Sequence, residues 1–116
     1  MSPRPYIDVH SPLAEALQPS VRVCESTLEA YRNDAESSGA SFLAAVVLAL
    51  AGIERAIESS RGDPTHDAVL LIASTLCRQA ADSIRAHGLE ADLVRCAGAC
   101  ERAAQICEAA VGNAQP

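Results

Sequence analysis

Four stretches of this chain carry an apolar residue at every third or fourth position, and glycine or proline punctuates the joins between them. That spacing lines apolar side chains along one face of an α-helix. Gly39 separates the first two stretches. Gly62-Asp63-Pro64 supplies a helix stop, then an N-cap aspartate with proline at the first helical position. Gly88 follows His87 and ends the third stretch, and Gly112 ends the last. Helices are predicted near residues 19–37, 40–61, 64–87 and 90–111.

Each helix can be threaded by a seam of alternating three- and four-residue steps. The first seam is Val21, Cys24, Leu28, Tyr31 and Ala35, and the second is Leu43, Val46, Leu50, Ile53 and Ile57. The third is Leu70, Ala73, Cys77, Ala80, Ile84 and His87. Leu89, Leu93, Cys96, Cys100, Ala103, Cys107 and Ala110 make the fourth. Such seams belong to helices crossing at about 20°, and short links make sequential helices antiparallel. The expected fold is all-α, an antiparallel up-down-up-down four-helix bundle over residues 19–112, with an N-terminal arm (1–18) and a tail (113–116). Within the arm, Ser11-Pro12 opens a short helical turn that Pro19 interrupts.

Composition agrees: 49% of residues are hydrophobic but only 3% aromatic, and alanine dominates, which suits close-packed helices. At 116 residues there is room for one domain. A net charge of −6 with no lysine argues against nucleic acid or an anionic membrane surface as partner. The most apolar run, Phe42 to Ile53, is twelve residues long, whereas a membrane span needs about 20. Nothing near the N-terminus resembles the apolar core of a secretory signal. A cytoplasmic location is therefore expected, where thiols stay reduced, and an odd cysteine count fits poorly with a disulfide framework. Glu29 with Arg32, Arg78 with Asp82, Asp82 with Arg85 and Asp92 with Arg95 stand at helical pairing distance and read as solvated faces.

All five cysteines fall on the seams. A free cysteine is a small, commonly buried hydrophobe, so core filling is one explanation. The other begins with Cys96 and Cys100, an i,i+4 pair whose Cβ atoms stand about 5–6 Å apart on one helix face. Two thiolates so placed converge on one soft ion. Cys107, eleven residues beyond Cys96, keeps to the same face, and Cys77 can contribute from the neighbouring antiparallel helix. Soft sulfur donors without imidazole or carboxylate select Cu(I), and structural zinc wants four ligands.

The fourth helix, HGLEADLVRCAGACERAAQICEAA, resembles the last helix of the cysteine-rich four-helix-bundle copper storage proteins, whose helices carry C-x-x-x-C-x-x-C-x-x-x-C. Cys96, Cys100, Ala103 and Cys107 stand at those four positions here. The third helix looks similar in register, with Ala73, Cys77, Ala80 and Ile84, and the loop SRGDPTH resembles the family's second link. The predicted second helix has no cysteine and the first only Cys24. The resemblance implies a bundle with a Cu(I) site at Cys96 and Cys100, and with Cys107 and Cys77 as third ligands or a second site. Five thiols suit one or two ions, not bulk storage.

Histidines add little. His66 and His87 stand at opposite ends of the third helix, about 32 Å apart at 1.5 Å per residue. His87 suits the C-terminal end of the helix dipole. His66 shares a first turn with Asp63 and Asp67, and His10 lies in the arm with no readable role. No hydrolase elbow, Walker loop, H-E-x-x-H or Glu-x-x-His pair is present, and Glu54 with Glu58 reads as a solvated face, so no enzyme is expected. The leading expectation is low-capacity Cu(I) binding. The alternative is a metal-free interaction module, homo-oligomeric or partner-binding through its long apolar second helix.

Overall fold

Proline is favoured in the first turn of a helix, where its missing N–H would have had no partner, and the first helix starts on Pro12. In the computed structural model of the protein, which describes residues 12–32, 40–59 and 63–112, the elements are α1 (Pro12–Tyr31), α2 (Ala40–Glu58), α3 (His66–His87) and α4 (Ala91–Ala110). His10, Gly39, Gly62 and the tail 113–116 lie outside the described residues, as do 1–11 of the expected arm and the helical margins predicted at 33–37 and 60–61.

Helix α1 corrects one boundary. It runs without a break through Pro19, so residues 12–18, expected in the arm, are its first turns. Pro19 faces solvent, which leaves the Glu15 carbonyl without its helical donor on an exposed surface rather than in the core. Inward-facing Ala14 and Leu17 are fully buried. Burying a leucine is worth about 2 kcal/mol, an offset to the roughly 3 kcal/mol cost of an interior proline.

The four helices form a closed ring. α1 packs on α2, α2 on α3, α3 on α4 and α4 on α1, with only slight diagonal contact between α2 and α4. Every adjacent pair is antiparallel. Tyr31 at the end of α1 donates to Asp92 at the start of α4 (3.1 Å), and Ser59 beyond α2 meets His66 at the start of α3 (2.6 Å). Arg85 and Arg78 of α3 reach Glu101 and Glu108 of α4 in reverse order. The fold is the expected all-α bundle, and no strand occurs among the described residues.

The predicted seams hold best in α3 and α4. Leu70, Ala73, Cys77, Ala80 and Ile84 are fully buried, as are Leu93, Cys96, Cys100, Ala103 and Cys107. The ends differ: His87 is exposed, and Leu89 precedes α4 at 79% exposure. In α2 the stripe is turned toward Phe42, Val46, Ala49, Ile53 and Ala56, leaving Leu50 and Ile57 only half-buried. Gly52 explains the rotation. A Cβ there would stand 3.2 Å from both Ala73 Cα and Leu76 Cδ1, so α2 approaches α3 on a side where it has no side chain.

The three punctuation sites differ in their turn chemistry. Asp63 Oδ1 accepts from the Thr65 N–H (2.9 Å) and hydroxyl (2.8 Å) in a turn ahead of α3, whose N-cap is Thr65 with no side-chain cap bond. Asp63 and Pro64, expected as N-cap and first helical residue, thus precede the helix because the Asp63 carboxylate is engaged within that turn. Gly112 has φ +79°, the left-handed conformation expected after a helix end. Gly88 does not: its backbone is extended (φ 177°), and it ends α3 by a plain hydrogen bond to Ile84. No helix among the described residues is long and apolar enough to cross a membrane.

Of the expected ion pairs, Glu29–Arg32 is present at 3.4 Å. Arg78 and Arg85 instead reach across to α4. Arg78 grips Glu108 through Nε (2.8 Å) and a terminal nitrogen (2.7 Å), and Arg85 holds Glu101 at 2.8 Å. A two-pronged guanidinium–carboxylate pair outcompetes a single contact along one helix.

Candidate metal centre

The four-residue step in the α4 seam places Cys96 and Cys100 one turn apart, both facing the core and both fully buried. Facing them from α1 is Cys24, also fully buried. The three Sγ atoms lie within 4.8 Å of one another, and Cys24 Sγ is 3.8 Å from Cys100 Sγ. Three sulfurs each about 2.3 Å from a metal in a trigonal plane stand about 4 Å apart. The cluster therefore has the dimensions of a three-sulfur metal site.

Polar contacts between α1 and α4 flank it. On one side the Ser20 hydroxyl donates to the Ala99 carbonyl at 2.9 Å. On the other, Thr27 donates to its own helix at Val23 (3.0 Å), and Tyr31 reaches Asp92. The aromatic edge of Tyr31 meets the Phe42 ring at 5.5 Å, and Phe42 lies against His87 at 4.6 Å, covering this end of the bundle.

Proximity makes the three thiols ionise as a group. Hydrogen bonds from Cys100 and Cys24 hold the Cys96 thiol well below its ordinary range, against the opposing effects of burial and Asp92. Cys100 is pushed strongly upward by hydrogen bonding with Cys24 and Cys96 and by burial. For Cys24 the Cys100 contact favours ionisation, but hydrogen bonding with Cys96, burial and the nearby thiols together carry it up to about 12. The cluster thus favours one thiolate solvated by the other sulfurs. A soft cation that replaces the remaining protons relieves this competition.

Cys96 and Cys100 are together as expected, but the third sulfur is Cys24, not Cys107 or Cys77. The geometric reason is the closed ring. Helix α4 has two neighbours, and its Cys96–Cys100 turn is shared with α1. Cys107 lies two turns further along α4, about 10 Å past Cys100 at 1.5 Å per residue. There it and Cys77 are fully buried outside the three-sulfur group. Burial, then the charge of Cys107, pushes the Cys77 thiol up to about 12. Burial, then Glu108, pushes Cys107 up to about 11. The signal for Cys24 was its place on the α1 seam.

His66 is buried with Nδ1 against the Ser59 hydroxyl, while Asp63 accepts from the Thr65 N–H ahead of α3 and Asp67 accepts from the Gly112 N–H (3.2 Å). These contacts secure the far end of the bundle. Among the described residues, Cys24, Cys96 and Cys100 form the one group of three or more His, Cys, Asp or Glu with metal-ligand spacing. No protein-family model matches this chain, and neither the curated proteins nor the solved structures compared with it give a significant match.

Proposed function

We propose that this protein binds a single Cu(I) ion at Cys24, Cys96 and Cys100, as a low-capacity relative of the copper storage bundles acting in a reducing, cytoplasmic setting. The observation that carries this reading is the convergence of three buried sulfurs within 4.8 Å. Three sulfurs with no nitrogen or oxygen donor in the group match Cu(I), and a fourth ligand for structural zinc is missing from that group. Binding displaces thiol protons, and the apolar walls keep water and oxidants from the metal. Trapping, with no catalysed reaction, is the role this supports.

The test is an anaerobic Cu(I) titration of reduced protein against a competing chelator, with Cys24→Ser, Cys96→Ser and Cys100→Ser beside the wild type. Tight uptake of about one ion that each variant weakens supports the site. Uptake indifferent to all three variants, or none against the chelator, overturns it.

A second reading has its own observation. Val47 and Leu48 of α2 and Leu71 and Ile72 of α3 are each at least half exposed, more apolar surface than the bundle itself covers. In this reading the protein is a metal-free module whose exposed apolar residues on α2 and α3 dock a second copy, and the cysteines only fill the core. Mass in solution, measured with and without copper, separates the two readings.

A further inference from the structure

Cu(I) does not travel as a free ion where thiols abound; it arrives bound to a donor's sulfur. Transfer then needs donor and acceptor sulfurs to reach one metal together, so a carrier must dock where a cluster sulfur lies nearest the surface. A groove of about 220 Å³ runs along the outside of the α1–α4 joint, lined by Arg22, Val23, Thr27, Asp92 and Arg95 among others. Its floor, Thr27, is 4% exposed and stands one turn beyond Cys24 on α1, and its walls, Asp92 and Arg95, stand one turn before Cys96 and next to it on α4. The groove thus overlies the helical turns that carry Cys24 and Cys96. Beside the groove, where Tyr31 donates to Asp92, the Tyr31–Phe42–His87 stack covers the same end of the bundle.

The groove's charge also contrasts with that of the whole chain. The protein carries −6 overall, yet here two exposed arginines face a single aspartate. Resting on the Cu(I) reading above, we propose that this groove is the loading port, and that its ligand is an anionic Cu(I)–thiolate complex of a small carboxylate-bearing thiol. Arg22 and Arg95 draw in the carboxylates while the metal is presented over Thr27. As Thr27 turns aside, a Cu(I)–sulfur bond to Cys96 forms and one Cu(I)–sulfur bond to the carrier breaks. Any proton still on Cys96 passes to the departing carrier sulfur, and copper stays Cu(I) throughout.

The experiment is stopped-flow transfer of Cu(I) from its glutathione complex to the reduced protein, comparing wild type, Arg22→Gln/Arg95→Gln and His87→Ala. Equilibrium capacity against a chelator is measured on the same samples. Loss of the two arginines should slow transfer about tenfold and leave capacity unchanged, while His87→Ala should match wild type. An unchanged rate in the arginine variant, or slowing by His87→Ala instead, overturns the port and leaves the site standing. Absent capacity in the wild type overturns both.

A metal-free arm reads the port alone. Anionic iodoacetate should alkylate Cys96 ahead of Cys77 and Cys107, and that lead should shrink in the arginine variant with iodoacetate but not with neutral iodoacetamide. Equal labelling of all three cysteines overturns the port.

Discussion

Cys24 Sγ of α1 lies 3.8 Å from Cys100 Sγ of α4, a contact between residues 76 positions apart in the chain. It joins the first helix to the last and gives the α4 cysteine pair its third sulfur.

The ligand set separates cleanly by mutation. Cys24→Ser should weaken Cu(I) binding about a hundredfold or more, because two sulfurs must then hold an ion shaped for three. Cys77→Ala and Cys107→Ala should leave copper affinity at the wild-type value. Each should still lower unfolding free energy by about 1 kcal/mol through the cavity left behind. Chelator competition and urea denaturation on the same variants check both halves.

Alkali should loosen the bundle around Cys77 and Cys107. Burial, with a nearby negative group, raises these thiols from 9.0 to about 12 and about 11. A thiol raised on folding contributes stability that is whole below its unfolded value and is lost as pH climbs. Urea midpoints should fall from about pH 9 upward, and the fall should be shallower in Cys77→Ala/Cys107→Ala.

Acid acts at a different place. The hydrogen bond from Arg78, then that from Ser74, lowers the Glu108 carboxyl from 4.5 to about 2. A depressed carboxylate stabilises the fold above its unfolded value and loses that contribution as pH falls toward the folded one. Wild type and Glu108→Gln should therefore differ in urea midpoint at neutral pH and converge between pH 4.5 and 2.

The close approach of α2 to α3 predicts a sharp size limit at position 52. Gly52→Val should destabilise by about 2 kcal/mol or more, since its Cβ already meets the Ala73 backbone at 3.2 Å. Thermal unfolding by circular dichroism checks it, with Gly98→Val as a control where a Cβ meets nothing within 4 Å.

Helix number, order and most of α3 and α4 were legible because alternating three- and four-residue steps leave little freedom in which face turns inward. The α2 stripe was harder to read. Ala44, Ala45, Val46, Val47, Leu48, Ala49, Leu50 and Ala51 form an unbroken apolar run, and what chose among its faces was the space above Gly52, a property of the packed pair. Pro19 misled because the cost of an interior proline is local, whereas the burial of Leu17 that offsets it is tertiary. For the site, the i,i+4 pair at Cys96 and Cys100 was visible on one helix. Cys24 was not, since its distance from Cys100 depends on how α1 and α4 meet as the ring closes.

That closure gives a bound ion a mechanical meaning. An ion held by Cys24 and Cys100 turns nearly the whole chain between them into one loop, and the entropy of closing a long loop grows only slowly with its length. Whatever free energy the ion gains from its sulfurs is therefore also a resistance to peeling the outermost helix from the bundle. Loss of the ion would be felt first as fraying of α1, the helix that already carries an interior proline.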